Sequence, residues 1–199
     1  PETAAPLVVD MSSDFMWRPM DLSGASLVYA GAQKNLGPSG VTIVLLRKDF
    51  AASARSDLPV ILQYATFAKH DSLYNTPPTF AVYLMRNVLA SVAERGGLAA
   101  VEADNRAKAA ALYGVLDAHP GVFVAPVEPA SRSAMNVVWR TRSPELDAQL
   151  VKEAAAKDMV GLAGHRSTGG LRASIYNAVS RASVERLVSF LDAFARTHA

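Results

Sequence analysis

Two apolar runs, residues 26–30 and 41–46, stand on either side of the stretch GAQKNLGPSG. Both are short, rich in Val, Ile and Leu, free of amphipathic alternation and bounded by turn residues, as is a third run at residues 6–9. That pattern predicts buried strands of an α/β sheet. Gly37, Pro38 and Gly40 mark the turn between the second and third runs. Lys34 therefore sits where the chain passes between two strands that are expected to be covered.

Downstream the period changes. Residues 78–95 predict a long helix with proline near its first turn and the pair Gly96-Gly97 at its end. A second helix is expected at about residues 98–119, stopped by AHPG, with Glu102, Asp104, Arg106 and Lys108 on one side of an alanine-rich body. Strands and helices then alternate: strands at 134–141 and 170–176, helices at 144–157 and about 183–197, with Ser143 as the cap of the first. The double glycine is the expected boundary between a larger α/β part, residues 1–97, and a smaller α+β part, residues 98–199. The chain opens on PETAAPLVVD, without an initiator methionine, and enters a strand almost at once. It is expected to be the C-terminal portion of something longer.

Composition narrows the chemistry. Twenty Lys+Arg against 18 Asp+Glu, with no basic cluster, give no sign of a nucleic-acid surface. No apolar run approaches the roughly 18 residues of a membrane span. The chain has no cysteine, which excludes a disulfide framework, thiolate metal sites and a cysteine nucleophile, and fits a reducing cytosol. No metal site is expected.

Lys34 reads as an ordinary solvated turn lysine or as a functional amine. Gln33 and Asn35 bracket it with amides suited to anchoring a polar ligand, and the GPSG turn could present backbone N–H groups to an anion. Asp10 ends the first strand, where an unpaired buried carboxylate would be costly. A lysine facing a carboxylate across a strand-end crevice fits pyridoxal phosphate (PLP) chemistry: the amine condenses with the cofactor aldehyde, and the carboxylate keeps the pyridine nitrogen protonated. Asp and Lys occur in most α/β proteins, so these two residues leave the question open. YNTPPT reads as a strand-to-helix loop with Thr76 as a cap. GHRSTGGLR reads as a glycine-rich surface loop with solvated arginines or as an anion site. Arg172, inside the apolar run LRASIY, needs an anionic partner, and its guanidinium suits a bidentate grip on a carboxylate.

Three stretches in order, DMSSDFMWRPMDLS…VYAGAQKNLGPSGVTIVLLRKD, YNTPPTFAVYL and GHRSTGGLRASIYNA, resemble the phosphoserine aminotransferase family, which belongs to the class V, fold type I PLP enzymes. The resemblance covers essentially the whole chain. It implies part of the large-domain sheet followed by a small α+β C-terminal domain. It implies that Lys34 is the Schiff-base lysine, Asp10 the partner of the pyridine nitrogen, and Gln33 a phosphate-binding neighbour. Asn75 and Thr76 match a pair reaching the cofactor phosphate of the other subunit in a homodimer. Arg172 matches the residue that holds the substrate α-carboxylate, and His165 and Arg166 match the site of the substrate's phosphate or distal carboxylate. The implied reaction moves an amino group between glutamate and 3-phosphohydroxypyruvate, giving 2-oxoglutarate and 3-phosphoserine, in a cytoplasmic homodimer. It serves serine synthesis and, in some members, vitamin B6 synthesis. The alternatives are a non-catalytic fragment or dimerisation module of this fold, or a serine–pyruvate type transaminase. A cysteine desulfurase is excluded by the missing cysteine. Trp17 and Trp139 are expected to pack, and His70, His119 and His198 to lie at the surface or cap helices. Ser12 and Ser13 are placed to orient Asp10, and Asn136 is assigned no chemistry.

Overall fold

The computed structural model of the protein describes residues 3–198, so Pro1, Glu2 and Ala199 lie outside the described residues. The chain divides into two compact units, Pro1–Ala99 and Ala100–Ala199.

The first unit carries a three-stranded sheet in the order β1 (Val8–Asp10), β2 (Leu27–Gly31), β3 (Thr42–Leu46). β1 is parallel to β2, and β3 is antiparallel to it. The central strand is covered as expected, with Leu27, Val28 and Ala30 buried. Its neighbours are not: Val8 is 52% exposed and Leu45 is 44% exposed. Both lie on edge strands of this sheet. A β-branched run dictates an extended backbone, but coverage requires a neighbour. β1 also begins two residues later than the apolar run. Pro6 has no N–H, and the Leu7 carbonyl already accepts from Ser26 and Leu27, at 2.8 and 3.3 Å.

Two short helices unforeseen from the sequence, α1 (Lys48–Ala52) and α2 (Tyr64–Lys69), precede α3 (Thr79–Glu94). The α3 span matches its expected place. Its N-cap is Pro78 and no side chain caps it, so Thr76 is not a cap. Gly96 and Gly97, both at positive φ (98° and 75°), break the chain before α4 (Gly97–Ala118).

The second unit is an antiparallel sheet of β4 (Phe123–Val124), β5 (Asn136–Thr141) and β6 (Leu171–Ser174), with helices α4, α5 (Pro144–Ala155) and α6 (Arg181–His198). Strand alternation decides its faces. Val137, Trp139, Leu171 and Ala173 point into one core with Leu112, Leu116, Leu150, Leu191 and Phe194 of the helices. The opposite face carries Asn136, Val138, Arg172 and Ser174, with Val138 opposite Arg172 and Asn136 opposite Ser174. Ser143 caps α5 as expected, its Oγ accepting from the Leu146 N–H at 3.3 Å.

One charged residue is not where the sequence reading put it. Lys108 belongs to the buried stripe of α4 and is 2% exposed. Its Nζ donates to the carbonyls of Ile175 (3.2 Å), Tyr176 (3.0 Å) and Val179 (2.9 Å). The stripe runs Val101, Asn105, Lys108, Leu112, the i, i+4, i+7, i+11 spacing of one helix face, and all four are buried. Glu102 and Arg106 remain on the wet side as an i, i+4 pair at 2.6 Å. His119 is half-buried and pairs with Asp192 at 2.8 Å, whereas His70 is exposed.

Among the described residues no helix is long and apolar enough to cross a membrane, and no group of three or more metal-ligating side chains is brought together.

Candidate active site

Asp10 ends β1 and Gly31 ends β2, so the parallel pair presents both carboxyl ends on the same side of the sheet. That is the side on which open α/β sheets bind ligands. Asp10 is exposed, so the cost of burying a carboxylate is not what constrains it. Hydrogen bonds do. The Ser12 hydroxyl, the Ser12 N–H (2.9 Å to Oδ1), the Tyr29 phenol and the positive charge of Lys34 together hold its carboxyl below the ordinary value. Tyr29 is the register partner of Asp10 across the strand pair, and the same hydrogen bond raises its phenol above the usual range. Sequence reasoning missed Tyr29. Nothing in the 18 intervening residues announces the register that pairs it with Asp10.

The lysine turn is held from within. The Ala32 carbonyl accepts from the N–H of Leu36 (3.0 Å) and Gly37 (2.8 Å), which winds residues 32–37 into one turn. The Gly37 N–H is thus committed internally and is not offered to an anion. Asn35 is buried, its Nδ2 donating to the Phe15 carbonyl at 3.0 Å, so it anchors the turn to the segment after β1 instead of facing a ligand. Gln33 and Lys34 stay exposed. The Gln33 carboxamide folds back over Gly31: a Cβ added there would lie 2.5 Å from Gln33 Oε1. Beside Asp10, a cleft of about 310 Å³ is lined also by Asp14, Arg18 and Asp21. Partial burial raises the Asp14 carboxyl, opposed by a hydrogen bond from Trp17 and the Arg18 charge. Trp17 is buried, as expected of a packing residue.

Asn75 and Thr76 are exposed in the loop before α3. Asn75 Nδ2 donates to the Thr76 carbonyl at 3.3 Å. Among the described residues no hydrogen bond joins either to Asp10, Gln33 or Lys34.

In the second unit, the loop ahead of β6 is pinched shut at its neck. The Gly164 N–H donates to the Gly170 carbonyl at 2.8 Å, and a Cβ on Gly164 would stand only 2.0 Å from the Gly169 carbonyl oxygen. Residues 165–168 are thereby pushed out, and His165 and Arg166 are exposed. Both the Ser167 N–H and its hydroxyl face His165 Nδ1, at 3.3 and 2.8 Å. The N–H makes Nδ1 an acceptor, which in the neutral ring leaves Nε2–H as an outward donor. Arg172 follows on the face of β6 away from the core. It is half-buried, and its Nε is buried with no hydrogen-bond partner among the described residues.

The profile of the family Aminotransferase class-V matches residues 2–187. The chain belongs to the class-V aminotransferases. Its relatives include a phosphoserine aminotransferase of Niallia circulans, 50% identical over 198 residues, 99% of this chain and 55% of that protein. The solved structure of phosphoserine aminotransferase from Bacillus circulans subsp. alkalophilus superposes with a TM-score of 0.95 at 50% identity, over 99% of this chain and 55% of that one. A PLP-bound phosphoserine aminotransferase from Trichomonas vaginalis superposes with a TM-score of 0.90 at 36% identity, over 96% of this chain and 55% of its own. The chain therefore spans about half the length of the aminotransferases it matches. The fold expected from the sequence, part of a fold type I aminotransferase, is the fold found.

Proposed function

We propose that the protein is a PLP-dependent phosphoserine aminotransferase acting in serine synthesis. The observation that carries the proposal is that Asp10 closes β1 and the Lys34 turn follows the end of β2, so both come from the carboxyl ends of one parallel strand pair, with the lysine charge helping to keep the carboxyl below its ordinary value. The donor set fits the cofactor. Asp10, held ionised by its neighbours, is the partner a protonated pyridine nitrogen requires, and Lys34 is the exposed amine that an aldehyde requires. Gln33, and across a homodimer Asn75 and Thr76, are the residues proposed to hold its phosphate. When bound, PLP supplies the electron sink that accepts the pair left behind as the substrate Cα–H bond breaks.

The chain's own residues do the rest. Lys34 Nζ takes the proton from the substrate Cα and later returns one, as general base and then acid. Arg172 grips the α-carboxylate with its fork of N–H donors. His165 and Arg166 bind the second anionic end, the phosphate of 3-phosphohydroxypyruvate or the distal carboxylate of glutamate. The two acids share an α-carboxylate and differ at the far end. The first unit is proposed to be the C-terminal portion of the cofactor-binding domain, and the second the small domain. A homodimer and a cytoplasmic location belong to the same proposal; the lack of cysteine suits a reducing compartment.

The test is chemical. Borohydride reduction of the protein with PLP, followed by peptide mapping, is expected to place the pyridoxyl group on the peptide bearing Lys34, and Lys34→Ala to lose both label and transamination. A label on a different lysine would overturn the proposal.

A further inference from the structure

The end of β1 is tied to the end of β2 by a single small side chain. The Ser12 N–H donates to Asp10 Oδ1 at 2.9 Å, while Ser12 Oγ accepts from the Gly31 N–H at 3.0 Å. A hydroxyl that accepts from an N–H keeps its own proton to donate, and the Asp10 carboxylate beside it is an acceptor only. Gly31 closes β2, three residues before Lys34. On the other flank, Tyr29 is paired in register with Asp10, and parallel partners in register present their side chains to the same face.

We propose that Ser12 and Tyr29 are positioning residues for Asp10: Ser12 fastens the carboxylate to the strand end that leads into the lysine turn, Tyr29 holds it from the adjacent strand, and carboxylate and turn are presented as one rigid piece. The part Asp10 plays in the reaction rests on the functional reading above; the grip on Asp10 does not. The Asp10 carboxyl is held below its ordinary value, with the Ser12 hydroxyl as the first cause of the lowering and Tyr29 contributing. The other charged groups about Asp10 are Lys34, from the turn after β2, and Asp14, Arg18 and Asp21, which line the same cleft. None of these is changed by substitutions at positions 12 and 29.

The experiment is a ¹³C-carboxyl NMR titration of Asp10 in the cofactor-free protein, in the parent and in Ser12→Ala, Ser12→Thr and Tyr29→Phe. Ser12→Ala is expected to shift the Asp10 midpoint upward, Tyr29→Phe to shift it upward by less, and Ser12→Thr, which restores a hydroxyl, to return it to the parent position. An unchanged midpoint in Ser12→Ala, or a Ser12→Thr midpoint no different from that of Ser12→Ala, overturns the assignment of Ser12. Tyr29→Phe removes one oxygen from a half-buried ring. If Ser12→Ala does not fold, an unchanged midpoint in Tyr29→Phe overturns the proposal on its own, and an upward shift sustains it. Failure of the functional reading looks different. The pyridoxyl label would then fall outside the Lys34 peptide while the Asp10 midpoint still moved in Ser12→Ala.

Discussion

The Lys108 ammonium donates to the Val179 carbonyl at 2.9 Å, joining the middle of α4 to the segment between β6 and α6. The same nitrogen reaches Ile175 and Tyr176, so one side chain satisfies three carbonyls on the exit from the strand that bears Arg172.

Lys108→Met keeps the volume and removes the donors. The Ile175 and Val179 carbonyls lose the Lys108 donor while the Tyr176 carbonyl keeps the Val179 N–H at 2.9 Å, and a buried acceptor left unmade costs more than the bond is worth when formed. Relief of the buried charge offsets part of this. The expected outcome is a loss of roughly 2–3 kcal/mol, read as a lower urea midpoint with an unchanged m-value.

Asp10→Asn is expected to fold normally, because Asp10 is exposed and the strand pairing uses backbone groups. An amide carries no charge to hold a pyridine nitrogen protonated. Single-turnover kinetics with glutamate are expected to show a severely slowed proton removal at the substrate Cα. A near-normal rate would remove Asp10 from the proposed mechanism.

Arg172→Lys and Arg166→Ala are expected to separate the two ends of the substrate. Lysine at position 172 keeps the charge but not the planar fork, so both substrates suffer. Removal of Arg166 should harm the phosphorylated substrate more than glutamate. Loss of a charge-assisted hydrogen bond amounts to roughly 1.5–3 kcal/mol, or about a 10- to 150-fold loss of binding. Equal, small effects on both substrates in kcat/KM would contradict the division of roles.

Acid should weaken one tether of the second unit. Arg132 grips Asp117 through two bonds, of 2.5 and 2.7 Å, while its guanidinium lies 4.5 Å from the centre of the Tyr113 ring. The Arg132 hydrogen bonds hold the Asp117 carboxyl below its ordinary value. A lowered folded-state value makes the contribution fully present above the unfolded value and lost as pH falls through the folded one. Asp117→Asn is therefore expected to destabilise at neutral pH, by less than about 1 kcal/mol for so exposed a carboxylate. The gap to the parent should close below about pH 4. A gap that persists in acid would show that the carboxylate charge is not what matters.

Much of this protein was determined by short stretches of its sequence. Strand and helix positions followed the turn residues, because glycine, proline and capping serine act on the backbone within a few residues: Gly96-Gly97 separates α3 from α4, and Ser143 opens α5. The placing of Lys34 in a turn between strands, and of Arg172 in a strand, was legible for the same reason. Tertiary structure decided what depends on partners distant in sequence. The register that sets Tyr29 against Asp10 is a pairing of two strands, and no local pattern encodes it. Val8 and Leu45 lie open because their strands form the edges of the sheet in this unit, although their composition suits a covered interior. Asn35 turned inward because the Phe15 carbonyl stood within reach, and Lys108 was taken into the core because three carbonyls 67 to 71 residues away converged on its nitrogen. Propensity and capping are short-range interactions written in neighbouring residues, whereas register, coverage and buried polar pairing exist only once the chain has brought distant groups together.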